Sequence, residues 1–364
     1  MKQRIAGMAA TLLAAVLLFS PKAQAISAQH GVLLDAGTGR LLFERNADAK
    51  SLIASTTKIM TALIVCEQCN VLDRIRIPKE AVGIEGSSMY LKEGEILTVQ
   101  ELLYGLMLSS GNDAAVALAI YCGGTVEGFA GLMNDKAYML GLHNTHFVNP
   151  HGLDAPGHYS TAEDLAILGA YAMENPIFAQ TVSTKSVTVG ERYLTNHNKL
   201  LWRVEGADGI KTGFTRAAGR ILVSTAIRDG RRLVAVTINA PDDWNDHMTL
   251  LQQGFSRYAP AQVVNEGEVL GTKEVAGGQS GVVELIAAEG FSYALTPEER
   301  LKIVISGQDF VYAPVVKGQQ AGFAYLLLGE KTVGKVPLIY GETIEQEIPP
   351  KKSIWERLFG GGKQ

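Results

Sequence analysis

The spacing of hydrophobic positions changes character several times along the chain. Behind Lys2 and Arg4 an unbroken apolar run extends from about Ala6 to Phe19. Apolar runs at Gly31–Asp35 and Arg40–Glu44 flank Ala36-Gly37-Thr38-Gly39, which predicts a hairpin over residues 31–45. From Ser55 through Val65 the pattern is apolar on nearly every side, as expected of a buried helix. Thr98-Val-Gln-Glu101 has the form of a capping box and predicts a helix to about Leu108. Ser109-Ser110-Gly111-Asn112 interrupts, and Asp113–Tyr121 is helical again. Residues 143–159, rich in Asn, His, Gly and Pro, read as loop. Ser160-Thr-Ala-Glu163 suggests a second capping box, with Glu163 as its acidic partner, before a helix over Asp164–Met173. Strands are predicted at Arg220–Ile227 and Arg232–Asn239, joined at Asp229-Gly230, and a helix near Asp243–Tyr258 follows. Helices between early and late strands predict one mixed sheet whose edge strands come from distant parts of the sequence.

Beyond Ala259 the texture changes. Short apolar runs at Val282–Ile286, Leu301–Ile305, Ala324–Leu328 and Val336–Ile339 alternate with Gly-containing turns, the pattern of a small all-β domain without chemistry of its own. Pro349-Pro350 then breaks the chain. Ile354, Trp355, Leu358 and Phe359 share one helical face beside Lys351 and Lys352, a pattern resembling an interfacial amphipathic helix with peripheral membrane contact. At the other end, the basic residues, the apolar run and Ala23-Gln24-Ala25 match a signal peptide cleaved after Ala25. The expected organisation is therefore a signal peptide (1–25), a main domain (26–259), a small β-rich domain (260–348) and an amphipathic tail (349–364). The mature protein is expected to work outside the cytoplasmic membrane, peripheral on its outer face.

Composition narrows the function. The 364 residues are 47% hydrophobic and carry a formal net charge of -4, so the basic excess typical of nucleic-acid binding is missing. Three cysteines, Cys66, Cys69 and Cys122, cannot form a full disulfide framework. Cys66-Glu-Gln-Cys69 has C-x-x-C spacing but ends an apolar helical run, whereas a redox motif opens a helix where the dipole lowers the thiol pKa. One disulfide has room to form, and the sequence does not assign its partners. No cofactor and no metal are expected. His143, His146, His151 and His158 crowd one loop region, but the spacing is weak for zinc and fits loop hydrogen bonding better.

Three short segments carry chemistry: Ser55-Thr56-Thr57-Lys58, Ser110-Gly111-Asn112 and Lys211-Thr212-Gly213. Each alone is common; in this order they form the set found in penicillin-binding proteins and class A β-lactamases. Ser55 and Lys58, three apart at a helix start, point to one face. A serine hydroxyl is a poor nucleophile until a base removes its proton. Lys58 can be that base only when uncharged. Lowering its pKa by about three units, from about 10.4 to roughly 7–8, corresponds to roughly 4 kcal/mol. Burial, the positive helix end and a second cation, Lys211, all act in that direction.

The chain resembles the low-molecular-weight penicillin-binding proteins that act as serine D-Ala-D-Ala carboxypeptidases. Ala54-Ser-Thr-Thr-Lys-Ile-Met-Thr-Ala62, Met107-Leu-Ser-Ser-Gly-Asn-Asp-Ala-Ala115, Pro150-His-Gly-Leu-Asp154 and Asp208-Gly-Ile-Lys-Thr-Gly-Phe-Thr215 carry the resemblance. It implies a β-lactamase-like α/β (α+β) catalytic domain, with helices around an antiparallel sheet, and a small all-β C-terminal domain. It further implies acylation of Ser55 by peptidoglycan stem peptides, release of D-Ala, deacylation by water, and covalent inhibition by β-lactams. On this resemblance Ser55, Lys58 and Ser110 are catalytic, with Ser110 relaying a proton to the leaving amine. Asn112 holds the substrate amide and orients Lys58, Lys211 and Thr212 take the terminal carboxylate, and Gly213 admits an extended substrate. The N–H groups of Ser55 and Phe214 are expected to hold the oxyanion. Relatives add an arginine for the carboxylate; Arg216 and Arg220 are both candidates. The family's similar His-Gly-Leu-Asp segment implies that His151 borders the site, while His197, ahead of the Lys-Thr-Gly strand, reads equally as a cleft residue or as packing. Two rivals remain. A class A β-lactamase lacks support because residues 143–160 contain no Glu-x-x-x-Asn pattern. A non-catalytic β-lactam or peptidoglycan receptor would not need every catalytic position intact.

Overall fold

The computed structural model describes residues 26–348, which fall into two compact units divided between Ser256 and Arg257. The expected signal peptide and amphipathic tail lie outside the described residues. The first unit is built on a five-stranded sheet. Its strands are β1 (His30–Asp35), β2 (Leu41–Arg45), β3 (Ala207–Thr215), β4 (Gly219–Arg228) and β5 (Arg231–Ile238), in the order β2-β1-β5-β4-β3. Every neighbouring pair is antiparallel, which corrects the mixed sheet expected from the order of elements. The two edges do come from distant sequence, because β1 pairs with β5, bringing the first hairpin against the last. At the β4–β5 turn Asp229 and Gly230 both have positive φ, 49° and 77°, the type I′ geometry that suits two-residue hairpins.

The central strand β5 is buried on both faces. Val234, Val236 and Ile238 join a large helical core, while Leu233 and Ala235 meet Leu250 and Leu251 on the other side. The larger core is filled by α1 (Lys58–Gln68), α2 (Val99–Leu108), α3 (Asn112–Gly123), α4 (Val126–Met139), α5 (Ala162–Ala172) and α6 (Pro176–Ser183). Helix α7 (Asp243–Arg257) covers the opposite face. The capping box at Thr98 and Glu101 is formed in full. The second one is displaced by a residue: Thr161 caps α5 by accepting from the Asp164 N–H, so Glu163 is not the capping partner. Asp164 stays in the first turn and also accepts from the Thr145 hydroxyl and the Asn144 N–H.

The second unit is a β fold of its own. A six-stranded sheet runs in the order Lys302–Ile305, Gln320–Leu328, Lys331–Tyr340, Val282–Ala287, Val269–Ala276 and Phe310–Tyr312, and Ala259–Val264 pairs separately with Phe291–Leu295. Val283, Leu285, Ala324 and Leu338 form its core.

Candidate active site

Ser55 sits in a single 3-10 turn, Ala54–Thr57, and the α-helix begins only at Lys58. The expected helix start at Ser55 is thus a tighter turn, and its geometry is imposed from outside. Ala54 has a φ of 43°, a left-handed conformation that costs a non-glycine residue on the order of 1 kcal/mol. The Thr56 and Thr57 hydroxyls donate to the carbonyls of Ile53 and Ala54. Behind them lies His158, with Nε2 2.7 Å from Thr57 Oγ1. The Thr57 proton is already given to Ala54, and His158 Nδ1 accepts from the Val148 N–H, so Nε2 carries the ring proton. Burial lowers the His158 pKa to about 4, consistent with this neutral tautomer. Gly152, at φ 88°, packs directly beneath: a Cβ there would stand 1.8 Å from the Ala54 carbonyl oxygen.

Lys58 is fully buried, and its Nζ meets three oxygens: Ser55 Oγ at 3.0 Å, Asn112 Oδ1 at 2.7 Å and the His151 carbonyl at 2.6 Å. The latter two oxygens can only accept. A neutral amine has two N–H groups and one lone pair. In the charged form the third N–H donates to Ser55 Oγ; in the neutral form, with both N–H groups spent on Asn112 and His151, the lone pair is directed at the Ser55 hydroxyl. The Asn112 orientation is set by its own amide, which donates to the Glu85 carbonyl. Burial, then the nearby Lys211 ammonium, push the Lys58 pKa well below its ordinary value; Asp113 opposes them.

Asp113 was not singled out in the sequence. It is buried and accepts from the Ser88 hydroxyl and from the N–H groups of Met89 and Leu91, holding the 87–91 segment beside α3. The only sequence signal was its place in the first turn of a helix, where any carboxylate is favoured. Its fixed negative charge limits how far Lys58 is depressed.

A cleft of about 380 Å³ opens over these groups, lined by Ser55, Ser110, Thr212, Gly213 and Phe214 from the predicted set. Lys58, Asn112 and Lys211 are buried in its wall. Strand β3 forms the far side. A Cβ on Gly213 would lie 3.2 Å from the Ser55 N, so the strand backbone runs close to the nucleophile turn. Lys211 is only 1% exposed, donates to the Thr212 carbonyl at 3.0 Å, and is lowered by burial to about 7. Ser110 has a φ of 60°, a second left-handed non-glycine residue at the site. His197 lines the cleft, and burial and Lys211 lower its pKa. His151 borders the site through its backbone carbonyl, its imidazole being lowered to about 4 by burial.

Of the two arginine candidates, Arg220 lines the cleft and Arg216 does not. Arg220 donates to both carboxylate oxygens of Asp243, at 2.8 and 2.9 Å, and lies over the Trp244 ring. Asp243 at the start of α7 therefore holds an arginine at the end of the cleft.

A family model described as D-alanyl-D-alanine carboxypeptidase matches residues 18–242, and one described as the C-terminal domain of penicillin-binding protein 5 matches residues 258–346. The D-alanyl-D-alanine carboxypeptidase DacC of Escherichia coli is 36% identical over 89% of this chain and 86% of its own length. The D-alanyl-D-alanine carboxypeptidase DacF of Bacillus subtilis is 32% identical over 88% and 86%. Among solved structures, penicillin binding protein 5 of Haemophilus influenzae superposes with a TM-score of 0.77 at 30% identity, over 88% of this chain and 98% of that one.

Proposed function

The chain belongs to the D-alanyl-D-alanine carboxypeptidase family, and from that premise we propose how its own residues divide the work on a peptidoglycan stem peptide. Neutral Lys58 takes the proton of Ser55, and Oγ attacks the carbonyl carbon of the penultimate D-Ala. The N–H groups of Ser55 and Phe214 hold the oxyanion. Ser110 passes a proton to the departing amine, D-Ala leaves, and water hydrolyses the acyl-enzyme. Lys211 and Thr212 bind the terminal carboxylate, and Arg220, steadied by Asp243, supplies a further positive charge at the same end of the cleft. A β-lactam acylates Ser55 by the same attack. Among the rival functions, this reading is favoured by the family membership and by the intact nucleophile, base and carboxylate groups.

The observation that carries this reading is the arrangement at Lys58: two obligate acceptors and the Ser55 hydroxyl surround its Nζ, so that once the amine loses its third proton the lone pair faces Ser55. The decisive assay is release of free D-alanine from diacetyl-lysyl-D-Ala-D-Ala. Ser55→Ala is expected to abolish both release and penicillin labelling. A wild-type chain that takes the label but frees no D-alanine would be a receptor rather than an enzyme. We further propose that the chain acts outside the cytoplasmic membrane, delivered by residues 1–25 and resting on the membrane through residues 349–364. Salt-sensitive binding of the mature protein to anionic vesicles, lost on deleting residues 351–364, is the expected result.

A further inference from the structure

We propose that Cys69 and Cys122 are a modification site: a dithiol that closes to a disulfide and ties together the far ends of two helices that begin at the catalytic cleft. Helix α1 starts at Lys58, runs 11 residues and is capped at its C-terminus by Cys69; α3 starts at Asn112, runs 12 residues and carries Cys122 in its last turn. At one end the two helices are joined by the 2.7 Å bond from Lys58 Nζ to Asn112 Oδ1. At the other end, about 16–18 Å away by the rise of a helix, Cys69 Sγ and Cys122 Sγ lie 2.9 Å apart. That separation is within about 1 Å of a covalent S–S bond.

The third cysteine does not compete. Cys66, the partner of Cys69 in the C-x-x-C spacing, is buried, and burial pushes its thiol up to about 12, so it is neither reachable nor ionised near neutral pH. Cys69 and Cys122 are both partly exposed. The Cys69 thiol donates to the Cys122 sulfur, which lowers the pKa of Cys122 and raises that of Cys69. The pair therefore presents one nucleophilic sulfur and one proton held beside it.

The oxidant is a disulfide compound, and the exchange is balanced. The Cys122 thiolate attacks one sulfur of the external disulfide, and its other half leaves as a thiolate. Cys69 then gives up its proton and attacks the Cys122 sulfur of this mixed disulfide. The second external thiol departs, and the intrachain bond remains. Two electrons pass from the cysteine pair to the external disulfide, which becomes two thiols. The bond closes a long loop, since its ends are 53 positions apart, and so constrains the unfolded chain strongly.

The test uses the full mature chain, incubated with oxidised glutathione or with dithiothreitol, then unfolded and alkylated. Cleavage after Glu67 separates Cys66 from Cys69. The expected product of oxidation carries one alkylated cysteine, Cys66, and a Cys69–Cys122 cross-link. That cross-link persists in Cys66→Ala and is lost in Cys69→Ser and in Cys122→Ser. The oxidised protein should melt about 5–10 °C above the reduced one, a difference that disappears in Cys122→Ser. Fluorescent penicillin labelling at 25 °C, within about twofold of wild type, shows that the variants are folded. Three alkylated cysteines after oxidation, a stable glutathione adduct, a cross-link through Cys66, or equal melting of the oxidised and reduced chains would each overturn the proposal.

Discussion

Lys211→Met is the perturbation whose consequences the structure specifies most fully, because it should impair function severely and strengthen the fold. Lys211 is buried and lowered from its ordinary 10.5 to about 7 by desolvation alone. A shift of that size corresponds to a penalty on the folded state of about 5 kcal/mol well below pH 7 and about 4 kcal/mol at pH 7. Methionine fills a similar volume without a charge. Its main loss is the bond to the Thr212 carbonyl, about 1 kcal/mol. The net gain at pH 7 is on the order of 3 kcal/mol after allowing for imperfect packing. The pH dependence has a definite sign. Between pH 7 and about 10.4 the unfolded chain holds a proton on this lysine that the native chain lacks, so wild-type stability rises with pH through that window. The penalty is complete below about pH 7 and absent above about pH 10.4. Urea unfolding followed through Trp202 and Trp244 of the first unit should therefore show the variant more stable at pH 6–7. The gap should close by pH 10, where the missing hydrogen bond leaves the variant slightly weaker. D-alanine release should fall by about 10²–10³-fold. A variant less stable than wild type at pH 7, or a gap that widens as pH rises, would refute the reasoning.

Other variants test the remaining supports of the site. Asn112→Ala removes one of the two acceptors that aim the Lys58 lone pair, and the rate of acylation by fluorescent penicillin should drop by about 10²-fold. Gly152→Ala places a methyl group against the Ala54 carbonyl at a positive φ; penicillin labelling should fall at least about tenfold and stability by about 2–4 kcal/mol in denaturant titration. Arg220→Ala should raise KM for diacetyl-lysyl-D-Ala-D-Ala about tenfold with a smaller change in kcat. The same substitution should have no effect on turnover of a peptide whose terminal carboxylate is amidated, and an equal loss on both substrates would remove Arg220 from carboxylate binding.

What the sequence determined by itself was local. Ser55 and Lys58 are one turn apart whatever the rest of the chain does, and Asp229-Gly230 accepts the positive φ values that a two-residue hairpin demands. The capping box at Thr98 was equally legible, since both partners lie within four residues. The box at Thr161 was misphased by one residue because Ser160 and Thr161 are both able caps, and Ser160 is instead bonded to Thr145 and paired with Ser51. The family resemblance supplied the list of site residues but not their partners. That Lys58 faces the His151 carbonyl, that Asp113 tempers its pKa and that His158 braces Thr57 depend on residues 55 to 101 positions away. The arginine was ambiguous for the same reason: Arg220 reaches the cleft through the register of β4 and the docking of α7, which no stretch of local sequence encodes. Hydrogen bonds between near neighbours are dictated by backbone geometry, whereas desolvation and charge coupling are set by what the whole fold packs around a group. A lysine's chemistry is therefore readable in outline from its motif, and its pKa only from its burial.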